Sequence, residues 1–157
     1  MSRRKGRILA FQALYSYDVG QMPLEELLKF EWEQDFSISV SEDKDLVKEV
    51  SDEAIEKSDN ETYDFARIII SGTVAHLEEI DNLIKEHLSE KWEFERVNKV
   101  SLAIIRMSVF ALLYQKELPV SVTIDEAVAI SKNYGEDASY KFVNGVLDKI
   151  SKQLAGN

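Results

Sequence analysis

The chain has 157 residues, which is long enough for one domain with a substantial core, and it carries a net charge of −10 at neutral pH. It contains no cysteine, which excludes a disulfide framework, thiolate catalysis and thiolate metal sites. From the length we expect a single domain, residues 1–157. Neither an apolar run of membrane-spanning length nor the apolar stretch of a signal peptide is present, so we expect this domain to lie in the cytoplasm.

The charge is distributed unevenly along the chain. Residues 31–64 hold 13 acidic residues and three lysines, which accounts for the whole net charge. The first acid is preceded by four basic residues, Arg3, Arg4, Lys5 and Arg7. A local basic arm on an acidic protein is typical of nucleic-acid binding, although a frayed N-terminus often carries similar charges.

The basic arm leads into a predicted amphipathic helix. From Ile8 onward, apolar residues recur at helical spacing, so the arm should be anchored to the protein. Arginines at the start of such a helix could bind phosphates through two hydrogen bonds each, and Gln12 or Tyr15 could meet a base. Tyr15 could equally pack in the core.

A second helix is predicted to start at Pro23, a favourable first helical residue, and to end near Phe36. The acidic segment at residues 37–60 is predicted to contain a short helix. A solvated face is its simplest explanation, although it could also repel RNA or bind a basic partner. A long core helix is then predicted from Glu61 to about Ser89.

Two histidines of this long helix, His76 and His87, lie near carboxylates and raise the question of a metal site. A diiron site in a helical bundle needs a Glu three residues before each His, but Thr73 and Ile84 occupy those positions. We therefore expect surface histidines and no metal.

The next segment is predicted to contain a short helix near Trp92 and a buried helix over residues 100–114. Arg106 lies near the apolar stripe of the buried helix. Because a buried arginine must be paired with an acid or a carbonyl, we predict a structural role for it.

Two helices are predicted at the end of the chain. Thr123 and Glu126 have the spacing of a capping box, in which each side chain satisfies a backbone N–H at the helix start. Gly135 should end this helix in the left-handed conformation, and Asp137 or Ser139 should cap the next one.

In the last helix, Lys141 and Asn144 fall outside the apolar stripe and Phe142 lies at its edge, where it could be core or a stacking face. Gly145 costs about 1 kcal/mol relative to Ala in a helix, and close packing is its simplest explanation.

The sequence contains no Walker loop, no nucleophile elbow and no carboxylate dyad, so we expect no enzyme activity and no cofactor. No strand is predicted either. The fold class should be all-α, a compact bundle of about seven helices arranged as two small sub-bundles.

Three groups of residues, in this order, resemble the NusB family of bacterial transcription antitermination factors. They are RRKGR at 3–7 with QALYS at 12–16, IIRM at 104–107 with FAL at 110–112, and IDEA at 124–127 with KNYG at 132–135 and KFVNGVLD at 141–148. The resemblance extends across most of the chain. The acidic segment at residues 37–60 is longer than the corresponding connection in typical family members, so the resemblance implies that it is an insertion.

The resemblance implies binding to the boxA element of nascent ribosomal RNA together with NusE, a small-subunit ribosomal protein. It also implies attachment to the RNA polymerase elongation complex with other Nus factors. It assigns RNA contacts to the four basic arm residues and to Lys141, Phe142 and Asn144. If all four arm residues contact phosphates, log K should fall against log salt with a slope of about −3.

The chain departs from the family pattern at Ser101, Leu102 and Ala111, where charged residues are usual. Relatives meet NusE in this region, so the resemblance places partner contacts there, and an apolar Leu102 could favour a homodimer. Two alternatives stay open. One is a helical protein-interaction module without RNA function, and the other is a detached relative of the helical domain that precedes some RNA cytosine methyltransferases.

Overall fold

The computed structural model describes residues 3–33 and 52–156, with side chains described from residue 60 onward in the second range. Seven α-helices have both ends within these ranges: α1 (Arg3–Val19), α2 (Leu24–Leu27), α3 (Asp52–Ala75), α4 (Leu77–Glu86), α5 (Lys99–Tyr114), α6 (Val120–Tyr134) and α7 (Ser139–Ala155). A short 3-10 helix spans Phe94–Arg96, and the described residues contain no strand. The predicted all-α fold is confirmed.

Helix α5 lies at the centre of the bundle. All of its residues from Ser101 to Leu112 are buried, because α1, α3, α4, α6 and α7 each pack against it. Among the outer helices, α1 packs chiefly on α3, and α6 chiefly on α7. Helix α5 therefore joins two groups of helices, as the predicted pair of sub-bundles requires.

The start of α5 is fixed by an N-cap that the sequence pattern did not identify. The side chain of Asn98 accepts hydrogen bonds from the backbone N–H groups of Val100 and Ser101 at 3.0 and 3.1 Å. Such a cap satisfies donors that have no partner within the helix.

Arg106 is buried in the middle of α5 and has acidic partners on two other helices. Its Nε and Nη2 donate to the carboxylate of Asp81 in α4 at 2.8 and 2.9 Å, and Nη1 lies 3.3 Å from Asp18 in α1. The predicted structural role of Arg106 is confirmed. The three side chains fix α1, α4 and α5 relative to one another.

The long helix predicted from Glu61 is wrong in extent. Helix α3 begins earlier, at Asp52, and ends at Ala75, and α4 follows after a break at His76. The His76 ring stacks on Tyr114, with 4.2 Å between centroids. The predicted insertion at 37–60 lies largely outside the described residues, and its final part belongs to α3.

The second helix is also shorter than predicted. Pro23 is the N-cap of α2, in an extended conformation, and the helix ends at Leu27. Phe30 then adopts a left-handed backbone with φ 59°, and the indole N–H of Trp32 donates to the carbonyl of Leu27 at 2.9 Å. These two features turn the chain back, while the predicted end, Phe36, lies outside the described residues.

The predicted end of α6 at Gly135 is confirmed, but the cap conformations and side-chain caps predicted for the last two helices are wrong. Helix α6 begins at Val120 with Pro119 at the N-cap, so Thr123 lies inside the helix, buried. Gly135 is extended, with φ −88° and ψ 171°. Ala138 takes the left-handed conformation before α7, and no side chain caps that helix.

The apolar stripe predicted for α7 is confirmed, because Val143, Val146, Leu147 and Ile150 are buried. Close packing at Gly145 is wrong for the part of the chain that the structure describes, since a Cβ placed there would meet none of its atoms within 4 Å. The glycine thus leaves open space beside the helix.

Replacing Asp81 with Ala should lower the free energy of unfolding by about 3 kcal/mol, because the buried Arg106 guanidinium would lose the partner of two hydrogen bonds. Urea unfolding of the variant and the wild type measures the loss. Asp148→Ala is the control. It removes a surface partner of Lys152 at 2.9 Å and should cost less than about 1 kcal/mol. Equal losses in the two variants would contradict the role given to Arg106.

Candidate nucleic-acid interface

The basic arm is the first part of α1 and continues directly into the core. Helix α1 begins at Arg3, and Leu9, Phe11 and Leu14 anchor it among buried residues. Near its start, Gly6 lies so close to α3 that a Cβ would come within 2.7 Å of the Phe65 ring. The helix therefore fixes the backbone that carries the basic residues from its first turn.

The four basic residues of the arm differ in exposure. Arg3, Arg4 and Lys5 are exposed, whereas Arg7 has an exposed fraction of 8%. The guanidinium groups of Arg3 and Arg7 lie over the Phe65 ring, at 5.5 and 5.4 Å from its centroid. Three of the four cations are thus exposed on the surface, whereas the Arg7 guanidinium is buried against the Phe65 ring.

The arm has a partner that is distant in sequence. Arg4 donates from Nε and Nη2 to the two carboxylate oxygens of Glu126 in α6, at 2.9 and 3.0 Å. Nη1 of Arg7 lies 4.0 Å from the same carboxylate. Glu126, predicted as half of a capping box, instead pairs with the arm.

These contacts shift the pKa values of the groups involved. The hydrogen bond from Arg4 lowers the pKa of the Glu126 carboxyl, and the two positive charges act in the same direction against partial burial. Burial lowers the pKa of Arg7, and the charge of Glu126 opposes this. Glu126 thus accepts two hydrogen bonds from the exposed Arg4 and also places a negative charge near the buried Arg7.

Two other residues predicted on α1 are less accessible than the arm. Gln12 is buried, and Tyr15 is half-buried and packs against the core. Their positions favour a packing role. The prediction that they meet a base finds no support in their exposure.

A second surface lies on the first half of α7. Lys141 and Asn144 are exposed there, and Phe142 is half-buried with its ring 4.8 Å from that of Trp92. Trp92 is 49% exposed and was not singled out by the sequence as a binding residue. An aromatic residue within a polar loop segment was the available signal. We call Trp92, Lys141, Phe142 and Asn144 the aromatic patch.

The aromatic patch has the chemistry of a base-stacking site. Two adjacent rings, one of them open to solvent, can each present a π-face to a base. Gly145 follows Phe142 by three residues on α7, and the space beside it allows a ligand to approach the backbone. Lys141 supplies a cation at the same surface.

The residues predicted to meet a protein partner are mostly inaccessible. Ser101 and Leu102 have exposed fractions of 1% and 0%, and Ala111 is also buried. Leu102 therefore offers no apolar surface for self-association, which corrects that expectation. The physical reason is that α5 is covered on every side.

The two histidines both contact other residues of the protein. His76 stacks on Tyr114, and Nδ1 of His87 lies 2.7 Å from the carbonyl of Leu83. Within residues 3–33 and 52–156, no group of three or more His, Asp or Glu could hold a metal ion. No helix in the same ranges is both long and apolar enough to cross a membrane.

These features define a helical protein with a basic helix start and an aromatic patch on its surface, and comparison with known proteins identifies its family. The sequence model of the NusB family matches residues 4–152. The chain therefore belongs to the NusB family, as its motifs indicated.

Two relatives illustrate the similarity. The chain is 41% identical to the transcription antitermination protein NusB of Treponema denticola over 98% of each chain. It is 40% identical to that of Borreliella burgdorferi, over 94% of this chain and 92% of the relative.

Solved structures agree with this assignment. T. maritima NusB matches with a TM-score of 0.75 and 33% identity, over 98% of this chain and 92% of that one. A chain from the crystal structure of antitermination factors NusB and NusE in complex with dsRNA matches with a TM-score of 0.72 and 28% identity, over 96% of each.

The contact between Arg4 and Glu126 should make stability depend on pH. Because the folded-state pKa of Glu126 is lowered, its stabilisation is present above the ordinary value of 4.5 and is lost as the pH falls through the folded-state value. At neutral pH, Glu126→Gln should cost about 1–2 kcal/mol, since the exposed pair with Arg4 is worth little and the buried Arg7 loses its acidic neighbour. Urea unfolding of both proteins at pH 7 and at about pH 3 tests this. A difference that persists undiminished at the lower pH would contradict the assignment.

Proposed function

We propose that this protein is a transcription antitermination factor that binds boxA RNA of nascent ribosomal transcripts together with NusE. In this role it joins the RNA polymerase elongation complex and other Nus factors in the cytoplasm, as a single domain without catalytic activity. The observation that carries the proposal is the display of Arg3, Arg4 and Lys5 on a helix fixed to the core. Membership of a family of antitermination proteins supports it.

In this proposal the basic arm and the aromatic patch bind RNA through different interactions. The cations of the arm neutralise phosphates, which provides affinity but carries no sequence information. The rings of Trp92 and Phe142 stack on unpaired bases, and Asn144 can donate to or accept from a base edge. Single-stranded RNA suits both surfaces, because its bases are free to be splayed apart.

The partner surface is proposed near the end of α5, where apolar side chains are exposed. Tyr114 is exposed and donates from its hydroxyl to Glu79 at 2.6 Å, while Val120 and Val122 are exposed at the start of α6. These three residues fall within nine positions of the chain, and exposed apolar residues that gather on one surface mark an interaction site. Ala111, three residues before Tyr114, lies nearest to it of the three residues predicted to contact NusE.

The same apolar residues also support a second candidate function, a protein-interaction module without RNA binding. The detached methyltransferase-domain alternative is less well supported. The match to the Treponema denticola relative covers 98% of that protein, which leaves no room in it for a catalytic domain.

Binding of labelled boxA RNA and of a scrambled RNA, at several salt concentrations and with or without NusE from the same organism, tests the proposal. We expect preference for boxA, strengthening by NusE and a log–log salt slope of about −3 for the four exposed cations, Arg3, Arg4, Lys5 and Lys141. A slope of about −3.5 would mean that the buried Arg7 also reaches a phosphate. Binding that ignores RNA sequence, salt and NusE would favour the interaction module.

Two exposed aromatic residues allow the RNA and partner surfaces to be tested separately. Trp92→Ala should weaken boxA binding about tenfold, the lower part of the range for removing one stacking side chain. Tyr114→Ala, a loss of similar exposed area at the proposed partner surface, should weaken NusE binding and leave RNA binding without NusE unchanged. Fluorescence anisotropy with each ligand alone measures both effects. Loss of RNA binding in the Tyr114 variant alone would reverse the assignment.

A further inference from the structure

Glu126 occupies the binding edge of an arginine that the proposed function assigns to RNA. The Nε and Nη2 groups of Arg4 both donate to its carboxylate, at 2.9 and 3.0 Å. This edge of a guanidinium binds two oxygens of a carboxylate or two oxygens of a phosphate with the same geometry. In the free protein, the carboxylate therefore stands where RNA phosphate oxygens would bind.

The contact is open to competition from solvent. The side chain of Arg4 is 56% exposed and that of Glu126 is 20% exposed. A surface ion pair of this kind is worth little, because water screens both charges. A polyanion can therefore reach Arg4 and replace the carboxylate at small cost.

The carboxylate of Glu126 also lies near a second, buried cation, Arg7. Its side chain is 9% exposed, and Nη1 lies 4.0 Å from the carboxylate. A buried guanidinium needs an acidic neighbour, so Glu126 cannot leave the cluster without cost. Exchange at Arg4 alone keeps Arg7 paired and frees one cation for RNA.

We propose that Glu126 is a built-in competitor for RNA phosphate, which holds Arg4 in the free protein and gives it up when RNA binds. This inference rests on the proposed function. Its consequence is that the affinity of the arm for any RNA is set below what its four positive charges would give. The effect is independent of RNA sequence, because phosphate contacts carry no sequence information.

The variant Glu126→Gln tests this competition. The amide has nearly the same shape and can still accept one hydrogen bond, but it lacks the charge that competes with phosphate. We expect it to tighten binding of both boxA and scrambled RNA about fivefold at low salt, a change typical of a single surface charge interaction. Glu26→Gln is the control. It removes the same charge from a surface pair with Lys29 and should leave RNA binding unchanged.

A double-mutant cycle separates competition at Arg4 from a general change of charge. In an Arg4→Gln background, Glu126→Gln should lose most of its effect on RNA affinity, because the cation that it frees is missing. Circular dichroism and thermal unfolding verify that each variant is folded. A gain of the same size in both backgrounds would overturn the exchange at Arg4.

The other outcomes are also decisive. Unchanged RNA binding by Glu126→Gln would mean that Glu126 does not compete with phosphate, and weaker binding would mean that it holds the arm in its binding conformation. Either result overturns the competition but leaves the proposed function intact. Absence of RNA binding by the wild type at low salt would overturn the proposed function and this inference together.

Discussion

The pairing of Arg106 is the constraint on which the arrangement of the helices depends. Apart from Arg106 and two serines, Ser101 and Ser108, helix α5 is apolar over its buried length, and apolar contacts alone fix neighbouring helices only loosely. A buried guanidinium demands partners at defined positions, which Asp81 of α4 and Asp18 of α1 provide. Because Asp18 lies near the end of α1, the same contact helps to hold the helix whose start carries the basic arm.

The start of α1, which carries the arm, is consequently helical and packed against α3 without a ligand. Contact of Gly6 with Phe65 fixes the start of α1, and Asp18 fixes its end. A preformed binding element avoids the entropic cost of ordering a flexible tail when a ligand binds. The packing of α1 has a second consequence, since it places Arg4 and Arg7 within reach of Glu126 on α6. Preorganisation and competition at the arm thus arise from the same packing.

Parts of the fold could be predicted from the sequence because they depend on local periodicity. The buried α5 and the stripe of α7 follow from apolar spacing, and the pairing of Arg106 follows from its position within such a stripe. The break at His76 was missed because apolar residues continue at helical spacing on both sides of it. The spacing of apolar residues indicates which residues are buried more reliably than it indicates where a helix breaks.

The site was less predictable, since its contacts join residues that are distant in the chain. Glu126 pairs with Arg4 over 122 positions, and its local spacing to Thr123 pointed to a cap instead. Ser101 and Leu102 were placed at a partner surface by family resemblance, whereas packing around α5 buries them. Trp92 can be recognised as a candidate stacking residue only once the fold has placed it beside Phe142.

The central claim, that RNA lies across the start of α1 and the aromatic patch, is tested most directly by ultraviolet cross-linking of boxA RNA to the wild-type protein. Mass spectrometry of the digested complex then identifies the cross-linked residues. The account predicts cross-links at Trp92 and Phe142 and in the peptide that carries Arg3 and Arg4. Cross-links confined to the surface around Tyr114, or none at all, would contradict it.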